Sequence, residues 1–546
     1  MINFDYRSVL HFSIDFNIFI KHLLMKKRIL FVLVVFSVLS CAKEVSYDND
    51  SFLSDECTPA FQLATFGEQT GHPFSISNVL SAFQNLSEET RAENTAEDII
   101  PTHKYVRFIP TNYNEMDSVQ AHSELDIYQY PLDCEITEGF VGIDNPFMVN
   151  GFPQYWCVVH SEYDLDAISC PYEIEADLWM PQALLEEETR SSLSGFEKTL
   201  LDELILEQGL DNYDYPETRA SSSYPGGYVK YQDSVLGNTS IEGMVVEAYN
   251  FWHNYKATSS AIGYLDFGGK HFSGQYRYRV KFKLDDFAIR KEDNNSDLEY
   301  VTDKTTSPFY KPFTGEYAKY CVVFQAAQRY YYQPISIPRP PKNGFWKACL
   351  RICVYPNSAS DDHWAGCTTI QDRVLLSDRP VITVWGRGSY GEYSSDTIYG
   401  TTVHELTHAM HYNMDKSLYF SVESRVKESL ARGVECYLAS ERYPSYIHKN
   451  LYYSVNRYTG ILNDLSDGTK TVSCEKHEDS SFNETTYSPP VSYYDGIDSA
   501  YTIPELVDAS RMCKTPLNLY SRINSLYPGR IPDNDLYTAF NFWFDL

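Results

Sequence analysis

Residues 404–408 read His-Glu-Leu-Thr-His, two histidines four apart with a glutamate directly after the first. On an α-helix, positions four apart share a face, so two imidazoles at this spacing can grip one cation from a single rigid element. Glu405 then stands beside the position left open on that cation, where it can take a proton from water. The flanks suit such a helix. Arg379-Pro-Val-Ile-Thr-Val-Trp385 is a short, β-branched run of the kind that forms a strand. A Gly/Ser/Tyr loop follows over 386–393, and Ser394, Ser395 and Asp396 offer helix N-caps. Ile398, Val403, Leu406 and Met410 fall near helical spacing and predict one core-facing side. A second helix is expected over 423–438, with Val426, Leu430, Val434, Tyr437 and Leu438 as its apolar stripe.

The order strand, loop, capped helix carrying H-E-x-x-H resembles the zincin metallopeptidases, in which the strand before the helix commonly holds extended substrate by edge pairing. A structural zinc site closes four protein ligands around the ion, whereas a catalytic one keeps a position for water. His411 completes H-E-x-x-H-x-x-H on the same face, but it lies about 10 Å along the axis from His404 at 1.5 Å per residue, so three rings cannot easily converge. Positions 411–414 read His-Tyr-Asn-Met, and the longer metzincin pattern is absent. On the next helix, Glu428-Ser-Leu-Ala431 resembles the E-(G/S)-x-A signature of gluzincins. That resemblance implies His404, His408 and Glu428 as metal ligands, Glu405 as the catalytic base, and one Zn2+ per chain. Glu435, seven residues on, is the rival ligand or a hydrogen-bond partner of a zinc-bound histidine, and Glu423 is a weaker third choice. Ser429 stands where the gluzincin motif often has Gly. Gluzincins often add a His or Tyr that steadies the developing oxyanion; Tyr458 and Tyr501 both lie downstream, and the choice between them stays open among 45 tyrosines.

The N-terminal region sets the expected location. Met25-Lys-Lys-Arg28 is a basic run, and Ile29 to Leu39 is an apolar stretch too short to span a bilayer but suited to secretion. Val38-Leu39-Ser40-Cys41 resembles the lipobox of bacterial lipoproteins, which implies lipidation of Cys41 and an outer-membrane lipoprotein on the cell surface or the periplasmic face. The acidic stretch after Cys41 resembles surface-export signals of Bacteroidota-type lipoproteins, and a plain linker is the competing reading. With 45 basic and 74 acidic residues the chain carries a net charge of −29, which argues against nucleic-acid binding. Cys349 and Cys353 lie four apart in an expected strand, and a disulfide and buried thiols are equally open.

The fold class expected is α+β. Residues 1–41 read as a start assigned too early plus a lipoprotein signal peptide. Residues 42–100 read as a flexible leader, with a helix around Ser77 to Leu86. An α+β unit with its linker is expected over 101–229, with strands near 105–110, 125–130 and 155–160 and a helix from Phe196 to Gln208. Ile241 to Tyr249 alternates like a strand, Ala261 to Gly269 supplies a Gly/Asp turn and Tyr276 to Leu284 alternates again, so residues 230–293 resemble the transthyretin-like β-sandwiches attached to carboxypeptidases and surface proteins. Residues 300–546 are expected to form the zincin-like domain, a small mixed sheet, the H-E-x-x-H helix and a helical C-terminal lobe, with helices over 317–332 and 517–526. The function expected is zinc-dependent hydrolysis of peptide bonds in a protein or peptide substrate. The alternative is a non-catalytic surface adhesin or glycan-binding lipoprotein that keeps a degenerate zincin scaffold. Nothing in the sequence indicates an oligomeric state.

Overall fold

The computed structural model describes residues 63–546 except 87, 89–94, 123, 143–144, 181–193, 209–222, 251–252, 273, 293, 342–348, 359–365, 371–379, 389–390, 447–458, 467–470, 475–490 and 495–499. The lipobox and Cys41 lie outside the described residues, as does Tyr458. Among the described residues helix accounts for 36% and strand for 26%, a mixed content consistent with α+β. Among the described residues no helix is long and apolar enough to cross a membrane.

The first unit contains helix α1 (Ile76–Asn85), strands β1 (His103–Phe108), β2 (Gly139–Val141), β3 (Tyr155–His160) and β4 (Tyr172–Leu178), and helix α2 (Gly195–Glu207). β1 lies between β3 and β4 in an antiparallel sheet. Ser75 caps α1, and Ser194 with Glu197 forms a capping box on α2. The two helices bury Val79, Ala82 and Phe83 against Leu200, Leu201 and Leu204. The helix expected around Ser77 to Leu86 is present as Ile76–Asn85, and because it is packed, this part of 42–100 is not a flexible leader; residues 42–62 lie outside the described residues. Its buried Val79, Ala82 and Phe83 stand at i, i+3 and i+4 spacing.

The middle of the chain supplies β5 (Val245–Tyr249), β6 (Asn254–Thr258), β7 (Arg277–Lys281), β8 (Phe287–Lys291) and β9 (Glu299–Val301). Four of these join β2 in an antiparallel sheet of order β6-β5-β7-β9-β2. A strand from the first unit therefore completes this sheet. β8 leaves it and pairs in parallel with β10 (Leu350–Tyr355), which follows helix α3 (Glu316–Tyr332). β11 (Gly366–Ile370) and β12 (Pro380–Trp385) extend that second sheet to the order β8-β10-β12-β11. Its first three strands run parallel and β11 runs antiparallel at the edge.

Two expectations are corrected by this topology. The strand before the H-E-x-x-H helix, β12, is interior, and β11 takes the edge. The boundary expected between 230–293 and 300–546 is not followed by the packing: β8 belongs to the second sheet, and one apolar cluster runs from Phe140 and Val229 through α3 to Phe544. Nearly every side of α3 is buried, so it is the spine of that core rather than an amphipathic cover. Helices α4 (Ser395–Met414) and α5 (Ser424–Arg442) pack on each other, and α4 also packs on α3, β11 and β12. Helices α6 (Ile503–Ala509), α7 (Pro516–Leu526) and α8 (Asp533–Phe544) form the C-terminal part. No disulfide forms among the described cysteines, and Cys349 and Cys353 are buried.

Candidate metal centre

α4 begins after Ser394 and is buried all round from Ser395 to Tyr412, not along one stripe. A helix enclosed on every side must find partners inside the protein for its polar groups. Two of its threonines solve this locally: Thr402 donates to the Ile398 carbonyl at 2.7 Å and Thr407 to the Val403 carbonyl at 2.8 Å. His404 and His408 reach outward to α5, and Glu405 to β11, instead.

The structure brings His404, His408 and Glu428 together. His404 Nε2 lies 3.3 Å from Glu428 Oε2, His408 Nε2 lies 3.3 Å from the same oxygen, and the two ring nitrogens are 3.2 Å apart. Three donor atoms thus form a nearly equilateral triangle. Tetrahedral zinc with bonds of about 2.0–2.1 Å holds its donors about 3.3–3.4 Å from one another. The residues present therefore fit such an ion on three corners, with a fourth corner for water or substrate.

Glu435 meets His404 on the other side of the ring. His404 Nδ1 lies 2.9 Å from Glu435 Oε2, and the same oxygen accepts from Arg432 Nη1 at 2.8 Å. The Tyr446 hydroxyl donates to Glu435 Oε1. An imidazole that gives its Nδ1 proton to a carboxylate turns the Nε2 lone pair toward the triangle, the tautomer a metal requires. Arg432, Tyr446 and Thr368 are partners that sequence reading did not single out. One signal was available for Tyr446: Gly400, one turn before His404, is a poor helix former placed mid-helix.

The electrostatics follow from burial. For His404, burial opposes the charged ring, but hydrogen bonds to Glu428 and Glu435 raise it to about 9. Burial pushes the Glu405 carboxyl up to about 8. Burial also lowers His408, although Glu428 opposes it. Glu428 is held well below the usual carboxylate range, where His408 and the two ring hydrogen bonds overcome its burial. Glu405 Oε2 accepts from Thr368 Oγ1 at 2.8 Å.

The remaining candidates lie elsewhere. His411 is buried with its ring 5.4 Å from Tyr419, and burial pulls it down to about 3, so it stays neutral outside the triangle. Glu423 is the N-cap residue of α5 and accepts from Arg425 Nε at 2.5 Å. Tyr501 packs against Tyr527 and beneath Arg530 among the C-terminal helices. The chain matches no protein-family model, no curated protein and no solved structure.

Proposed function

We propose that this chain is a zinc-dependent peptidase of gluzincin type, with one ion held by His404, His408 and Glu428. The observation that carries this reading is the triangle of donors at 3.2–3.3 Å, with Glu405 one residue from the first histidine. Zinc bound there would make water acidic near neutral pH and polarise a substrate carbonyl. Glu405 takes the proton as water attacks that carbonyl and returns it to the leaving amine. Its carboxylate is held by the Thr368 hydroxyl of β11 at 2.8 Å. Glu435, braced by Arg432 and Tyr446, holds the His404 ring in its ligating tautomer. The antiparallel edge strand β11 supports an extended protein or peptide substrate laid along its outer side, since among the described residues only β12 pairs with it. A parallel sheet with one antiparallel edge, set beside the H-E-x-x-H helix, suits a zincin-like domain. The lipobox-like run Val38-Leu39-Ser40-Cys41 supports an outer-membrane lipoprotein tethered through a lipid on Cys41, on the cell surface or the periplasmic face.

Elemental analysis and peptide cleavage test the assignment together. The purified chain and Glu405→Gln should each hold one zinc, and the variant should turn over about 10²- to 10⁴-fold more slowly. Zinc in neither protein, or equal cleavage by both, would refute the proposal. Zinc without turnover in either would favour the non-catalytic scaffold. Cys41→Ala should leave the membrane fraction, and unchanged retention would contradict the lipid anchor.

A further inference from the structure

The geometry points to Thr368, on the edge strand β11, as the positioning residue that sets the orientation of Glu405; this rests on the hydrolytic reading above. Thr368 is buried, and its hydroxyl lies 2.8 Å from Glu405 Oε2 and 3.0 Å from the main-chain oxygen of the same residue. The one hydroxyl proton is thus shared between the carboxylate, which is nearer, and the backbone carbonyl of the residue that would act as base. A β-branched side chain on a strand has few χ1 choices, so the hydroxyl is held in place by its own backbone.

Gly366 lies two positions earlier and therefore on the same face of β11. A Cβ there would come within 3.0 Å of Glu405 Cγ and Oε1 and within 2.5 Å of Thr401 Cγ2. The strand supplies a tether at one carboxylate oxygen and room at the other. With Oε2 held by Thr368, Oε1 is left to take the proton: a water O–H bond breaks, an Oε1–H bond forms, and that proton later passes to the amine. The hydrogen bond from Thr368 to Oε2 is kept through both transfers. The strand whose outer edge would seat the substrate is also the strand that aims the base.

Thr368→Val keeps the shape and removes the hydroxyl, while Thr368→Ser keeps the hydroxyl. In the valine variant kcat should fall about 10- to 100-fold while KM and zinc content stay near those of the parent, and serine should restore most of the loss. Crystals of metal-free Thr368→Val should show the Glu405 carboxylate turned away from β11 with His404, His408 and Glu428 in place. Unchanged kcat, an unmoved Glu405, failure of serine to restore activity, or loss of zinc from the valine variant would each overturn the inference. A parent chain that binds zinc but cleaves nothing would bring down the hydrolytic reading and this inference with it. An active parent with an equally active valine variant brings down only the inference.

Discussion

The Tyr446 hydroxyl occupies the space that a side chain at Gly400 would need: a Cβ at Gly400 would lie 2.0 Å from that oxygen. The same hydroxyl donates to Glu435, which in turn receives His404. On helix propensity alone Gly400→Ala should stabilise α4 by about 1 kcal/mol. Overpacking at a buried site costs about 1–3 kcal/mol, so the clash outweighs the propensity. The variant is expected to melt earlier and to bind zinc about 10- to 100-fold more weakly, as a chelator competition would read. Parental affinity in Gly400→Ala would show that Tyr446 does not act through Glu435.

Glu428 and Glu435 differ in which side of His404 they meet, and their variants should differ accordingly. Glu428→Ala removes a donor from the triangle and should abolish stoichiometric zinc. Glu435→Gln keeps an acceptor for His404 Nδ1 and should weaken zinc only about 10- to 100-fold. Titration with a metal indicator distinguishes them, and the reverse ranking would exchange their roles.

Acid stability should carry the mark of His72. Burial pulls its ring down to about 3 from an ordinary 6.5, and its Nδ1 accepts from the Phe74 amide at 3.3 Å. The folded value lies below the unfolded one, so this contribution is complete above about pH 6.5 and is lost as pH falls toward 3. The slope is at most about 1.4 kcal/mol per pH unit. His72→Asn keeps an acceptor but does not titrate, so the parent's stability relative to this variant should shrink steadily from pH 7 to pH 4.5. Urea midpoints across that range provide the measurement, and a constant difference would contradict it.

Arg279 and Glu247 tie the first unit to the five-stranded sheet. Arg279 is fully buried, donates from Nε to Glu247 at 2.7 Å and from Nη1 to the Ile127 carbonyl at 2.8 Å, and lies 3.8 Å over the Tyr128 ring. Burial works against the Glu247 charge, yet Arg279 and Lys281 hold its carboxyl at about 2. Glu247→Ala would leave the Arg279 cation in the interior with only the more distant Glu299 carboxylate, 3.9 Å from Nη1, and should cost about 3 kcal/mol in chemical denaturation. The double variant Glu247→Leu with Arg279→Met should recover most of that loss. If the double variant is no more stable than the single one, an under-compensated buried charge is not the cause.

Local pattern made several elements legible before any coordinates. The helix carrying His404 and His408, the helix carrying Glu428, and the one over 316–332 all announce themselves through spacing and caps. What stayed hidden depends on distance along the chain. β8 and β10 pair in parallel across the whole of α3, with no turn between them to signal the register. Thr368 reads as an unremarkable polar residue until the fold carries it to Glu405, 37 positions away. Tyr446 was likewise one tyrosine among many, and the glycine facing it was the only local trace.

The parallel partnership of β8 with β10 has a practical result for anyone dissecting this chain. A fragment begun at residue 300, where the sequence suggests a clean cut, would amputate Phe287–Lys291 and leave β10 with a raw, sticky margin. Such a truncation should aggregate, and an expression start upstream of the five-stranded sheet is the safer choice.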